Sequence, residues 1–277
     1  MPELPEVETM CRGIAPIVGR KIARVFCPPC TFRPIVITPA IEVLNRTLEA
    51  QVVSAISRLG KRVVIHAGAH ALILQPKMSG LVLLEQPPDY EHVRLQIDFA
   101  KPATLRLQFW DRRGLGTVEC LPHSEVHARI VSGRLGPDAL DISCEDFSQR
   151  LRQTTRPIKV ALLDQKLVAG VGNLYASEML HVAKIHPAKA CDKISRPKLR
   201  LLYESMQRIL ITAIAHEGST LSDGTYRNAL NDPGSYQNKH LVYDRAGLPC
   251  ATCAAGEIVR IVQAQRSTFY CPKCQRT

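Results

Sequence analysis

Behind the opening MPELPEVE, the apolar positions Pro5, Val7, Met10, Cys11 and Ile14 recur at about helical spacing, and Gly13 and Gly19 stand where such a helix could end. One amphipathic helix is predicted there. From Lys21 to Val131 the period shortens. VRLQIDF and TLRLQF alternate apolar with polar residues, AKPA between them reads as a turn, and KRVVIHAG and HALILQP precede them, the pattern of an antiparallel β-sandwich. LGPDALD at 135–141 has the glycine, proline and aspartates of a boundary. After it EDFSQRLRQ, RPIKVALLDQ, NLYASEMLHVAKI and PKLRLLYESMQRILITAIAHEG predict a mainly helical second half. Residues 219–239, rich in Gly, Ser, Asn and Asp, read as a long ordered or gated loop. The expected class is α+β, with a β-sandwich and flanking helices over 1–133, a helical domain over 134–240 and a cysteine-bearing finger over 241–277. No internal repeat or low-complexity tract interrupts it.

Charge narrows the partner. Among 277 residues, 36 are Lys or Arg and 25 are Asp or Glu, a formal charge of +11 that favours a polyanion such as nucleic acid. No apolar run approaches the roughly 18 residues of a membrane span, and the acidic start lacks the basic and apolar regions of a signal peptide. A soluble, cytoplasmic protein is expected.

The ten cysteines are not spread as an extracellular disulfide framework. CATC at 250–253 and CPKC at 271–274 are 17 residues apart, within the spacing of a four-cysteine zinc ribbon. Thiolates from Cys250, Cys253, Cys271 and Cys274 would close a tetrahedron around one Zn²⁺ and leave no position for substrate, so the metal is expected to be structural. Between the knuckles EIVRIVQAQRSTFY reads as a hairpin with Arg266 near its turn, where an arginine could reach a phosphate or a minor groove; taken alone, it is a solvated charge. CPPC at 27–30 has no second pair nearby and is given no redox or metal role. His66, His70, His181 and His186 form no metal-like spacing and are read as structural or surface residues.

Removal of Met1 would leave Pro2 with a secondary α-amine. If it attacks a sugar C1′, the adduct is an iminium with no nitrogen proton to lose, a good electron sink for elimination. An unperturbed α-amine titrates near ~7.7–8.0, so a cationic neighbour or modest desolvation makes a useful fraction neutral. Glu3 beside it is placed to move protons, and Glu6 lies one helical turn further on. The same acids also complement the positive end of a helix, with Pro5 as a good first-turn residue, and these residues alone leave both readings open.

MPELPEVET, GVGNLYASE and AQRSTFYCPKCQ, in that order from residue 2 to about 276, resemble the bacterial formamidopyrimidine-DNA glycosylases, oxidised-purine repair enzymes related to endonuclease VIII. The ELPEVE start is closer to the formamidopyrimidine branch. The resemblance implies an N-terminal β-sandwich, a helix-two-turns-helix domain and a zinc ribbon, acting as a monomer on damaged double-stranded DNA. It implies that the Pro2 amine displaces the damaged base, that Glu3 handles protons at the sugar, and that Lys61, in SRLGKRVV, assists β-elimination. Arg266 would serve δ-elimination and a phosphate contact, leaving a one-nucleoside gap. Extruding a nucleotide leaves a hole to fill. Met78 in QPKMSG and Arg113 and Leu115 in DRRGLG match the void-filling residues, the arginine facing the orphaned cytosine. His92, Lys159 and Asn173 match phosphate contacts, with Arg156 a nearby candidate; in GVGN, Asn173 reads as a cap at a helix start suited to an anion.

This chain departs from the family at Gln75 and Lys77, where histidine and a small residue are common, at Leu115 in place of phenylalanine, and in a longer stretch between Ser222 and Tyr236. These departures bear on lesion and opposite-base preference. Two other readings stay open: a zinc-ribbon protein that binds damaged or bent DNA without cutting it, and the same enzyme turned toward oxidised pyrimidines.

Overall fold

The computed structural model describes residues 2–84, 86–102, 104–221, 224 and 226–276. They form two compact units, Met1–Ser132 with Ile214–Ser235 and Gly133–Ala213 with Tyr236–Thr277.

In the first unit the predicted opening helix is α1 (Leu4–Gly13). Glu3 is its N-cap: its side chain accepts from the Glu6 N–H, and Glu6 Oε2 accepts from the Glu3 N–H at 2.9 Å, a reciprocal capping box. Leu4, Val7, Met10 and Ile14 are fully buried along one face of it. There follow β1 (Ile22–Phe26), β2 (Val36–Thr38), α2 (Ile41–Leu48), β3 (Val53–Arg58), β4 (Val63–Ala67), β5 (His70–Gln75), β6 (Gly80–Leu83), β7 (Val93–Phe99), β8 (Arg106–Asp111) and β9 (Thr117–Pro122), then a short α3 (His123–Val126) that runs on as one π-turn to Val131.

The strands make two sheets, β1-β7-β8-β6 and β2-β9-β5-β4-β3. Side chains of both, including Leu81, Leu95, Ile97 and Phe109 from one and Val63, Ile65, Leu72 and Val118 from the other, share one core with Val7 and Met10 of α1. The expected antiparallel pairing needs one correction: β2 lies parallel to β9, Val36 opposite Thr117. Such a neighbour requires a long crossover, which the chain between them supplies. The alternation of VRLQIDF is also misleading, because Arg94 and Gln96 are buried at 4% and 9% exposure rather than facing water. Gln96 bonds Asp98 at 2.7 Å and accepts from Gln108 at 3.4 Å, so its buried amide is satisfied within the protein.

The second unit is helical: α4 (Cys144–Arg152), capped by Ser143, whose Oγ accepts from the Asp146 N–H; α5 (Ile158–Leu162); α6 (Asn173–Val182); and α7 (Arg196–Ala215), whose last residues fall in the first unit. It ends in the predicted hairpin, β10 (Val259–Gln263) and β11 (Arg266–Tyr270). The two turn residues, Ala264 and Gln265, both have positive φ, the conformation that matches strand twist in a two-residue hairpin. The stretch expected as a loop is irregular apart from a single turn at Tyr236–Lys239; Ser222, Asp223 and Thr225 lie outside the described residues. Among the described residues no helix is long and apolar enough to cross a membrane.

Candidate functional site

Pro2 and Glu3 are buried at the start of α1. The same Glu6 whose Oε2 holds the Glu3 N–H uses Oε1 to accept the Ser219 N–H at 2.9 Å, and its carbonyl accepts the Tyr226 hydroxyl at 3.4 Å. One side chain thus fastens the Pro2–Glu3 peptide to Ser219. Burial first, and then the nearby Glu6, push the Tyr226 phenol well above its ordinary range, which keeps it a donor. Gly218, at φ +77°, is required here: a Cβ would come within 2.7 Å of Glu6 Oε1. The sequence marks Glu6 only as a first-turn acid.

Lys61 is half-buried in the turn joining β3 and β4, against which α1 packs. Arg58 orders that turn. Its Nε donates to Glu8 of α1 at 3.0 Å and its Nη1 to Gly60 O at 3.0 Å, so the residue beside Lys61 is tied to the helix that carries Glu3. Arg58 was not foreseen.

The four DNA-contact candidates of this unit sit on neighbouring loops. Met78 is 39% exposed and Arg113 is exposed, while Leu115 and His92 are half-buried. His92 is fixed on three sides, by Asp89 Oδ1 at 2.7 Å, by a stack on Phe32 at 4.4 Å and by the edge of Trp110 at 5.7 Å. Burial works to raise Asp89, yet the His92 hydrogen bonds hold it below the usual carboxylate range. Cys30 of the CPPC stretch donates to Glu91 O at 3.0 Å and accepts from Arg94, and Cys27 is exposed. Among the described residues neither joins a metal-competent cluster.

In the second unit three candidates converge. The Lys159 ammonium, fully buried, donates to Asn173 Oδ1 at 2.9 Å and Thr268 Oγ1 at 3.2 Å, and Asn173 Nδ2 donates to Ser267 O at 2.9 Å. This ties α5 and α6 to β11, whose first residue is the exposed Arg266. The reading of Asn173 as a helix cap is corrected. Gly172 is the N-cap and Asn173 the first helical residue, because its amide is spent on Lys159 and Ser267 rather than on the helix backbone. Arg156 stands apart, exposed and paired to Asp164 at 3.0 Å.

The finger's four Sγ atoms lie within 4.8 Å of one another, with Cys250–Cys274 at 3.9 Å and Cys253–Cys271 at 3.8 Å. Bonds of about 2.3 Å to a tetrahedral Zn²⁺ give sulfur–sulfur edges of about 3.8 Å, so the residues present fit the metal. The Ala255 N–H draws Cys253 down to about 7, while burial pushes Cys271 up. Gly256 lets the knuckle close, since a Cβ there would sit 2.7 Å from Cys271 Sγ. His181 is structural, as expected. Its ring bridges Gln275 Oε1 at 3.1 Å and Thr252 Oγ1 at 2.8 Å, fixing both knuckles to α6.

Glu178, in the GVGNLYASE segment, was missed. Buried on α6, its carboxylate accepts the N–H groups of Leu241, Val242 and Tyr243 at 2.9, 3.0 and 2.7 Å and so clasps the turn leading into the finger. The only acid of that helix, at a position sequence alone does not show to be buried, was the available signal.

Beside that clasp, burial pushes His240 from 6.5 down to about 4, against the opposing pull of the Tyr243 backbone. A base whose folded pKa lies below its unfolded value stabilises the fold fully above the unfolded pKa and loses that contribution as protons bind. Stability is therefore expected to hold steady above pH 7 and to fall between pH 6.5 and about 4, by up to about 3 kcal/mol from this residue, and the melting temperature to fall with it. His181, also pushed down by burial, adds in the same direction. Thermal melts of the protein and of His240→Gln across that range check it; an equally steep fall in the variant would reassign the effect.

Residues 1–118 match the formamidopyrimidine-DNA glycosylase N-terminal domain, 135–225 the formamidopyrimidine-DNA glycosylase H2TH domain and 247–277 the zinc finger found in FPG and IleRS. Among curated relatives, the formamidopyrimidine-DNA glycosylases of Solibacter usitatus and Streptococcus mutans are 38% and 36% identical over 280 and 281 residues, covering 100% of this chain and 100% of each relative. Among solved structures, the Lactococcus lactis enzyme bound to DNA containing N7-benzyl-Fapy-dG superposes with a TM-score of 0.89 at 35% identity over 100% of both chains. A second complex of the Lactococcus lactis enzyme, with abasic-site DNA, gives 0.88 at 34% identity over 99% of this chain and 100% of that one. With its one structural zinc site and the order of its domains shared along the whole length, the chain belongs to the formamidopyrimidine-DNA glycosylase family.

Proposed function

We propose that this chain is a bifunctional DNA glycosylase and abasic-site lyase that removes oxidised purines, 8-oxoguanine and formamidopyrimidines, from duplex DNA as a cytoplasmic monomer. The observation that carries this reading is the buried Pro2–Glu3 start, held by Glu6 against Ser219, in a chain that matches glycosylases from end to end. DNA-bound relatives support a damaged duplex as partner.

In this mechanism, with Met1 removed, the Pro2 nitrogen lone pair bonds to C1′ and the C1′–base bond breaks, the base leaving with a proton. Glu3 protonates the ring oxygen as the C1′–O4′ bond opens, giving the iminium. Loss of a C2′ proton feeds electrons toward that cation and expels the 3′ phosphate; a second elimination expels the 5′ phosphate. Lys61 assists the first and Arg266 the second, each offering positive charge to a departing phosphate. Met78, Arg113 and Leu115 fill the hole left by the extruded nucleotide, and Leu115 fills it less completely than a phenylalanine would. His92, Arg156, Lys159 and Asn173 fix the register of the backbone; Lys159, buried, acts by holding Asn173 and the hairpin under Arg266. The zinc holds the shape of the finger when bound.

The test is borohydride reduction of the protein mixed with an 8-oxoguanine:cytosine duplex, beside a thymine glycol duplex. The expected result is a covalent protein–DNA adduct, formed preferentially on 8-oxoguanine, and without borohydride a gap carrying phosphate at both ends. Salt-sensitive binding with neither adduct nor scission would make this a binding protein. Preferential cutting at thymine glycol would move it to oxidised pyrimidines.

A further inference from the structure

Met78, Arg113, Leu115 and His92 share a residue that none of them reveals in sequence. Asp111, at the end of β8, is fully buried. Its Oδ1 accepts the Ser79 hydroxyl at 2.6 Å and the Arg113 N–H at 3.2 Å, and its Oδ2 accepts the Leu115 N–H at 2.8 Å and the Gly116 N–H at 2.7 Å. Ser79 Oγ accepts the Arg113 N–H at 3.1 Å, closing the loop between the two segments. The Asp111 backbone is engaged as well: its N–H donates to His92 O at 2.9 Å, and its carbonyl accepts Arg94 Nε at 2.9 Å. Arg94 in turn lies over Phe32, the ring on which His92 stacks.

We infer that Asp111 is a positioning residue that sets the void-filling group, holding the Met78 loop and the Arg113–Leu115 loop in one register and fixing both to His92. This rests on the reading of Met78, Arg113 and Leu115 as the residues that enter the duplex. Two loops reaching into one gap must agree in position, and a displacement of about 1 Å in a positioning group can cost on the order of a hundredfold in rate. A single carboxylate whose Oδ1 accepts from both loops and whose Oδ2 accepts from the second enforces that agreement, whereas separate anchors would let the loops shift independently.

The experiment uses the full-length protein and a duplex with 2-aminopurine opposite a tetrahydrofuran abasic analogue, where insertion into the gap changes the fluorescence. Asp111→Ala is expected to lose most of that change and to cut 8-oxoguanine excision about 10- to 100-fold. Borohydride trapping on single-stranded abasic DNA, which has no opposite base and no gap between pairs, should stay within about twofold. Asp111→Asn keeps shape and buried volume, but its Nδ2 cannot accept the backbone N–H groups that one of the two carboxylate oxygens takes, so it carries the test if the alanine variant melts early; about half of the fluorescence change is expected. A full fluorescence change in the folded asparagine variant would overturn the inference, as would equal losses on duplex and single strand. Absence of single-strand trapping in the unaltered protein would instead overturn the proposed amine chemistry.

Discussion

Extending the chain by two residues ahead of Pro2 is expected to abolish borohydride trapping, and Pro2→Gly to lower it by about a thousandfold or more, in line with losses seen when a covalent nucleophile is removed. In the extended chain the Pro2 nitrogen is an amide with its lone pair delocalised into the carbonyl, so no bond to C1′ can form. Glycine restores an amine, but a primary one. Its adduct can lose a nitrogen proton to become a neutral imine, which is a poorer electron sink for both eliminations. Neither change should disturb the fold, because α1 begins after the Glu3 cap, and the cap's donor is the Glu3 N–H, not a group on Pro2. The check is a trapping titration on abasic duplex beside a thermal melt. Undiminished adduct from the extended chain, at an unchanged melting temperature, would assign the nucleophile to another residue.

What could be read beforehand was what is local. The period of Val7, Met10 and Ile14 gives α1, the Cys-x-x-Cys spacing gives the metal site, and the stretch between the knuckles gives a hairpin that carries Arg266 at its turn. Periodicity says which face of an element is buried, and for α1 that much held. It does not say what lies across from that face. Arg94 and Gln96 occupy polar positions of an alternating strand and are buried, because other parts of the chain bring partners to them. The parallel β2–β9 pair likewise depends on where a distant strand docks, which no local pattern encodes.

Site residues divided in the same way. Glu6 and Ser219 are 213 positions apart, and Lys159 and Thr268 are 109 apart. A carboxylate looks the same in sequence whether it uses one oxygen or two, so the second partner of Glu6 and the four donors on Asp111 had no signature beyond the residue type. Asn173 shows the converse error. GVGN has the composition of a cap, and Asn is a favoured cap residue, but that preference is about 1 kcal/mol. A hydrogen bond from a buried ammonium exceeds it, since leaving such a charge unpaired costs several kcal/mol, and the side chain goes to Lys159.

Removal of the metal should have the other large effect. The finger's own core is small: Val242, Ile258 and Phe269 with Cys250 and Cys271, supported by Tyr243. So few apolar groups cannot offset the entropy of ordering some thirty residues, and a structural Zn²⁺ supplies about 10–16 kcal/mol in comparable sites. Cys271→Ser, which deletes a fully buried ligand directly after β11, is expected to release one zinc per chain to a chromogenic chelator and to abolish amide protection in β10 and β11. Arg266 then loses its rigid turn, and affinity for lesion duplex should drop by about a hundredfold or more, since phosphate contacts held on a disordered hairpin must first pay the ordering entropy. The clasp of Glu178 on residues 241–243 lies on α6 and not on the metal, so protection should survive at those amides. A variant that loses its zinc yet keeps β10 and β11 protected would mean that the His181 and Gln275 contacts hold the hairpin without it, and Arg266 would then be positioned by α6 rather than by the cysteines.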